Sequence, residues 1–288
     1  MSHEIKHLLE HTILDVLKIV PFLFIAFLII EFIEHKLSKK SKKLIENSDK
    51  LGPLFGGALG MIPQCGFSVI ATNLYITRII SLGTLISIYL STSDEMLPIL
   101  ISQKADLNVI LKLVLTKFLI GIVAGFIIDF IIRKYNKNKK IKEDYSICKD
   151  EDCHCEKESI LFSSLKHTLK TILFIFIVTL ILNIMMEYLG NDYIEKIFMK
   201  NSIFSSFISS LVGLIPNCSS SVILTELYLN NVISFASVLA GLLTGSGVAI
   251  LVLFKNNKNL KENISILLLI YLIGSLSGLI IELIKIIL

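Results

Sequence analysis

Two stretches of this chain place a proline, a carboxamide and a cysteine inside long apolar runs: Gly60-Met61-Ile62-Pro63-Gln64-Cys65-Gly66-Phe67-Ser68-Val69 and Gly213-Leu214-Ile215-Pro216-Asn217-Cys218-Ser219-Ser220-Ser221-Val222. In hydrocarbon an unpaired polar group costs several kcal/mol, so broken backbone survives there only when buried in protein or lining a cavity. Proline removes a helical hydrogen bond and disfavours helix at the residue before it. Each stretch therefore predicts a break in a membrane segment. Paired breaks in the two halves of a chain point to a binding site between repeats, as in many secondary transporters.

The surroundings are membrane-like. The 288 residues are 53% hydrophobic with mean hydropathy +0.75. Runs such as Ile19–Ile33, Phe118–Ile132, Leu173–Ile184 and Ile264–Ile281 are nearly free of charge. Several approach the roughly 20 residues needed to cross a bilayer. A soluble helical bundle would show polar stripes at helical spacing, which these runs lack. The expectation is an all-α polytopic protein whose partner is the lipid bilayer, with no nucleic acid. Its net charge of +4 lies in loops beside the apolar runs, where the positive-inside rule accounts for it.

The duplication extends well past the two signatures. Between Ile62 and Glu95, 13 of 34 positions are identical to the residue 153 further on, among them Pro63/Pro216, Cys65/Cys218, Thr72/Thr225, Tyr75/Tyr228, Ser81/Ser234 and Ser93/Ser246. His11-Thr12 and Glu31 recur as His167-Thr168 and Glu187, 156 further on. The boundaries read as 1–134 for the first repeat, 135–162 for a charged linker and 163–288 for the second repeat. Met1–Lys18, with His3, His7 and His11 on one helical face, reads as an interfacial lead-in and not a cleaved signal.

Loop charge sets the topology. Lys36–Lys50 holds six lysines against Glu46 and Asp49, and Arg133–Lys142 holds six cations, so both are placed in the cytoplasm. Leu82–Ser102 and Leu107–Ile132 supply two crossings between them. Leu51–Ile80 must then enter and leave on one side, as a re-entrant hairpin or two short helices broken near Ile62-Pro63. Three crossings per half make the repeats inverted. Gly190–Ser202, near neutral, is expected outside, and Lys255–Glu262, with three lysines and one glutamate, inside. Counting each hairpin as two short helices gives about ten membrane segments.

Chemistry follows from the residue types. Cys65 and Cys218 are soft ligands that favour Cu(I), zinc, trivalent arsenic or mercury. A helix starting after each proline would point its positive end at the site. Gln64, Asn217, Ser68 and Ser221 add polar groups, so Pro63, Gln64, Cys65, Ser68, Pro216, Asn217, Cys218 and Ser221 form the expected substrate site. Taken singly, such cysteines and serines are ordinary small packing residues. Asp94 and Glu95 sit mid-segment, where carboxylates are expensive, and the second repeat has Gly247-Val248 there; Glu226 replaces Asn73. Asp94, Glu95 and Glu226 are expected coupling groups, with a fixed ion pair to Lys112, Lys117 or Arg78 as the plainer reading. Asp129, Lys112 and Lys117 read as snorkelling or paired side chains, and Glu31 and Glu187 as helix ends. Cys148, Cys153, His154 and Cys155 cluster in the linker as a candidate soft-metal trap, although their spacing matches no standard zinc module. The five cysteines, an odd number with this cluster, argue against a disulfide framework.

Ile62-Pro63-Gln64-Cys65-Gly66-Phe67-Ser68-Val69, Leu90-Ser91-Thr92-Ser93-Asp94-Glu95, the Cys/His linker, and Ile215-Pro216-Asn217-Cys218 with Leu224-Thr225-Glu226-Leu227-Tyr228 together resemble the family of ten-transmembrane heavy-metal exporters, often labelled arsenic efflux proteins. The resemblance implies a multi-pass inner-membrane permease exporting a metal or metalloid such as arsenite. No Gly-x-x-x-x-Gly-Lys-Ser/Thr loop is present, which leaves secondary transport, the leading expectation, or a partner ATPase, with no cofactor and no enzymatic activity expected of this chain. Alternatives are transport of a divalent cation such as manganese by the acids, and a metal-responsive membrane sensor. A homo-oligomer is left open.

Overall fold

A computed structural model describes residues 51–62, 65–93, 96–135, 160–189 and 204–287, with isolated helical positions between 13 and 28. The expected first crossing, the lysine run at 36–50 and the connection at 190–202 fall largely or wholly outside the described residues. The described residues form helices without strands: α1 (Gly52–Gly60), α2 (Cys65–Ile76), α3 (Leu82–Ser91), α4 (Met96–Ser102), α5 (Leu107–Tyr135), α6 (Ile160–Leu189), α7 (Ser205–Gly213), α8 (Cys218–Leu229), α9 (Phe235–Thr244), α10 (Ala249–Asn256) and α11 (Leu260–Ile287).

The surface is apolar and the interior is rich in hydroxyls. Leu111, Leu115, Leu119 and Val123 are exposed down one face of α5, and Leu260, Ile264, Leu268, Leu272, Leu276 and Ile280 down one face of α11. Ser68, Thr72, Ser87, Ser91, Ser209, Ser210, Thr225 and Ser237 are buried. A soluble bundle shows the reverse. Here the solvent for the outer face is hydrocarbon, and small polar residues inside allow close helix approach. Leu107–Lys134, Phe235–Asn256 and Leu260–Ile284 are long and apolar enough to cross a membrane.

Hydrogen bonds give the path of each short-helix pair. Ser68 on α2 meets Thr92 at the end of α3, and Thr72, one turn on, meets Tyr89 one turn back. Thus α2 is antiparallel to α3. On α1, Gly56 lies against Thr84 and Gly60 against Ser91, so α1 runs parallel to α3. A chain that rises on α1, descends on α2 and rises again on α3 is a helical hairpin, the arrangement expected for Leu51–Ile80. The second hairpin is built alike: Leu224 of α8 and Ser209 of α7 meet Gly241, and Gly213 meets Thr244.

The 153-residue offset carries into three dimensions. A Cβ added to Gly125 would meet Gly83 O at 2.6 Å, Pro53 Cβ at 2.9 Å and Ser87 Cβ at 3.0 Å; one added to Gly278 would meet Ala236 O at 2.9 Å, Ser206 Cβ at 3.0 Å and Ala240 Cβ at 2.6 Å. Every one of these partners is 153 residues from its counterpart. The same holds for Gly121, against Ser91, Ser87 and Leu90, and Gly274, against Thr244, Ala240 and Leu243. Ser81 and Ser234 each cap the helix that follows, accepting from Thr84 N at 3.1 Å and Ser237 N at 3.2 Å. Asp129 accepts from Ser81 Oγ at 2.7 Å and Glu282 from Ser234 Oγ at 2.6 Å. Arg78 and Asn231 both have φ of 58° in the turn after the hairpin.

The two sets pack with opposite sense. Asp129, near the end of α5, is at the start of α3, whereas Lys112, near the start of α5, stacks on Phe235 at the start of α9. Glu262, at the start of α11, meets Arg78 beside the start of α3, and Glu282, near its end, meets the start of α9. Hence α5 and α11 run in opposite directions, as do α3 and α9. Across the halves, α2 packs on α10 and α8 on α4.

Candidate functional site

Both cysteines of the signatures are the first residues of their helices, Cys65 of α2 and Cys218 of α8. Asn217 is the N-cap of α8: its backbone is extended, it is only 2% exposed, and its Oδ1 accepts from Ser219 N at 3.4 Å. A carboxamide suits that place because it satisfies one of the donors a helix start leaves open. Pro216 is half-buried beside it, and Ser221, one turn into α8, is buried. The partial positive charge of two helix starts is thus presented at the hairpin tips. Pro63 and Gln64 lie outside the described residues, as do the side chains of Cys65 and Cys218.

Each tip reaches the point where the next helix breaks. The segment Leu82–Ser102, expected as one crossing, ends its first helix at Ser91 and resumes at Met96. Its counterpart breaks over Gly245–Val248, with Gly247 at φ 54°. Thr92 Oγ1 donates to Ile88 O at 2.7 Å, so Ser68 Oγ is the donor in the 2.9 Å bond between them. Thr72 Oγ1 donates to Ser68 O at 2.7 Å, so the Tyr89 hydroxyl donates to Thr72 at 2.5 Å. This buried chain docks α2 on the end of α3. Among the described residues, the buried hydroxyls at both breaks, those of Ser91 and Ser246, have no hydrogen-bond partner.

Lys117 joins the two breaks. It is 1% exposed, and its Nζ donates to Thr92 O at the end of α3 and to Leu242 O, 2.8 Å away, in the last turn of α9. The sequence reading treated it as a snorkelling or paired side chain. Snorkelling is excluded by its face: Leu113, Lys117, Gly121 and Gly125 share the buried side of α5. The glycines four and eight residues on were the signal that this face points inward. Asp129 was also read as snorkelling or paired; it is buried, and it accepts from Gly83 N at 2.9 Å as well as from Ser81.

Arg78, one candidate partner for Asp94 and Glu95, pairs with Glu262 of the second half. Its Nη1 and Nη2 donate to the two oxygens of Glu262 at 2.8 and 3.1 Å, the Tyr75 hydroxyl donates to the same carboxylate, and Arg78 stacks on the Tyr75 ring at 5.1 Å. Nearby, Asn256 Nδ2 donates to Asn73 Oδ1 at 3.0 Å. Lys112, another candidate, lies 4.8 Å from the Phe235 ring centroid. Glu226 is exposed on α8. Asp94, Glu95 and the linker residues Cys148, Cys153, His154 and Cys155 lie outside the described residues, and among those described no group of three His, Cys, Asp or Glu gathers at metal-binding spacing.

A protein-family model described as "Putative, 10TM heavy-metal exporter" matches residues 6–191 and again residues 156–286. No curated protein matches. No solved structure matches.

Proposed function

This chain belongs to the 10TM heavy-metal exporter family, and from that premise we propose that it is a secondary transporter of the plasma (inner) membrane that moves a soft metal or metalloid species, such as arsenite, out of the cytoplasm. Residues 1–134 and 163–288 form two inverted repeats of about five membrane segments each, and 135–162 is the cytoplasmic linker between them. The substrate binds between the hairpin tips. Cys65 and Cys218 supply thiolate ligands, and Pro63, Gln64, Ser68, Pro216, Asn217 and Ser221 shape the wall. Asp94, Glu95 and Glu226 are the carboxylates available for coupling, and Cys148, Cys153, His154 and Cys155 collect metal at the cytoplasmic face.

The observation that carries this reading is that both hairpins end at a helix break and that one ammonium spans the two breaks. Opposed running directions of α5 and α11 support the inversion. A hard divalent cation is the weaker alternative, because it would share the breaks with a buried lysine and because Glu226 is exposed.

The test is tolerance and flux together. Cells stripped of other exporters should gain arsenite or metal tolerance from this protein, and Cys65→Ser with Cys218→Ser should abolish it. Proteoliposomes given arsenite, zinc, manganese and phosphate, with and without a pH gradient, identify the cargo. Full protection by the double variant would remove the thiols from the site, and loss on substituting the acids alone would favour the divalent-cation reading.

A further inference from the structure

The two halves repeat each other's packing but not the polar contacts between them. Where α2 meets the second half, Asn256 Nδ2, in the last turn of α10, donates to Asn73 Oδ1 at 3.0 Å, and Asn73 is fully buried. The Tyr75 hydroxyl and both Nη atoms of Arg78 reach the Glu262 carboxylate. The turn that carries Glu262 is itself tied, because Asn257 Nδ2 donates to Asn263 Oδ1 at 2.8 Å and Asn263 Nδ2 to Asn257 O at 2.9 Å. At the opposite end the 153-residue offset puts Glu226 and Gln103 for Asn73 and Asn256, Asn231 and Val109 for Arg78 and Glu262, and Lys104 and Ile110 for Asn257 and Asn263. Glu226, Gln103, Asn231 and Lys104 are exposed there, and Tyr228 is half-buried where Tyr75 is buried. The closed end is the basic one. Asp129 reaches the start of α3, so Arg133 and Lys134 at the end of α5 lie at this end, together with Lys255, Lys258 and Lys261 around the α10–α11 turn.

We propose that the contacts of Asn73 with Asn256, and of Tyr75 and Arg78 with Glu262, are the cytoplasmic gate of the carrier, and that the structure is its cytoplasm-closed state; this rests on the secondary-transport reading above. The basic end is the cytoplasmic one by the positive-inside rule. In a carrier built of inverted repeats, opening one end of the seam between the halves closes the other. In this state α2 packs on α10 at the cytoplasmic end. In the other state α8 takes the same packing on α4. The residues at the two ends then set which state is favoured. Closing the cytoplasmic end gains a forked ion pair, a phenol and a carboxamide pair. Closing the opposite end gains none of these and drives the Glu226 carboxylate into the position where Asn73 is buried, which is costly for a charge. The carrier therefore rests closed to the cytoplasm. The gate is not locked. Asn73 Nδ2 is buried with no hydrogen-bond partner among the described residues, and water satisfies such a donor once the end opens. Arg78 is partly exposed, so its fork breaks readily.

Hydrogen exchange of the full chain in nanodiscs reads both ends without any substrate. In the parent, residues 69–78 should exchange more slowly than residues 222–231. In Arg78→Ala, exchange of 69–78 should rise by about fivefold, and exchange of 222–231 should slow. Asn231→Arg with Val109→Glu moves the fork to the opposite end, at positions that are exposed or half-buried and so tolerate the change. There 222–231 should slow and 69–78 should speed up. A brace without a gating role moves the ends differently: faster exchange at both ends of Arg78→Ala, or at 69–78 alone, overturns the proposal. So does unchanged exchange of 69–78 in the transplanted variant. An impermeant lysine reagent outside right-side-out vesicles should fail to label Lys261, and labelling there overturns the cytoplasmic assignment. If the parent moves none of arsenite, zinc or manganese in proteoliposomes, heavy-metal export falls, and the reciprocal exchange still decides whether the two ends alternate.

Discussion

Arg78 and Glu262, 184 residues apart in sequence, meet through two hydrogen bonds of 2.8 and 3.1 Å. The pair fastens the turn after the first hairpin to the start of the last helix, so it joins the two halves. The equivalent positions 153 residues away are Asn231 and Val109, which cannot form an ion pair. The clasp therefore exists at one end of the molecule only. Arg78 is 40% exposed, so solvent screens much of the attraction. Arg78→Ala should cost on the order of 1 kcal/mol, read as a lower melting temperature in detergent, with the effect shrinking as salt rises. The reversed pair, Arg78→Glu with Glu262→Arg, should recover part of the loss. Equal melting of both single variants and the reversed pair would show that the clasp holds nothing.

Glycines at matched positions predict matched sensitivity. Gly125 and Gly278 face backbone and Cβ atoms at 2.6 to 3.0 Å, where no real side chain fits without movement. Gly125→Val and Gly278→Val should each destabilise the fold by roughly 1–3 kcal/mol or more, the usual range for overpacking. Comparable losses in thermal melts would support equivalent packing in the two halves. Tolerance at one site alone would mean that the duplication no longer constrains it.

Capping carboxylates make a separate prediction. Asp129 accepts from both Ser81 Oγ and Gly83 N, whereas Glu282 accepts from Ser234 Oγ. Removing Asp129 leaves a buried N–H and a hydroxyl without their acceptor, at about 1–3 kcal/mol. Asp129→Ala should therefore destabilise more than Ser81→Ala, for which the loss of an N-cap costs about 1 kcal/mol. If Asp129→Ala melts like the parent, the acid is not part of the cap.

Docking of the first hairpin on the break can be read at Tyr89. Its hydroxyl starts the chain Tyr89 to Thr72 to Ser68 O. Tyr89→Phe keeps the ring and deletes the donor, so stability should fall by about 1 kcal/mol. If the docked tip shapes the substrate wall, flux should fall further than stability does. Parent-like flux in a destabilised Tyr89→Phe protein would separate docking from transport.

Much of the architecture could be read from residue order. The breaks expected at Ile62-Pro63 and Ile215-Pro216 return as helices that end at Gly60 and Gly213 and resume at Cys65 and Cys218, while the lysine run at 36–50, from which the sidedness was argued, lies outside the described residues. The 153-residue repeat was visible as identities, and it returns as equivalent contacts at Gly121/Gly274 and Gly125/Gly278. Asn217 was singled out for its carboxamide, and the helix start explains the choice of residue. These features are local in cause: backbone dihedrals, helix ends and charge near an interface act over a few residues.

What lies across the fold was decided only by tertiary structure. A lysine in an apolar helix reads alike whether it snorkels to the interface or turns inward; the carbonyls of Thr92 and Leu242 hold Lys117 inside the protein. Arg78 was a candidate partner for Asp94 or Glu95, which lie outside the described residues; the opposed halves bring Glu262, 184 residues away, to it. Sequence fixes which groups are costly to bury in hydrocarbon. Which distant group satisfies them depends on how two inward-facing surfaces meet, and no local pattern encodes that.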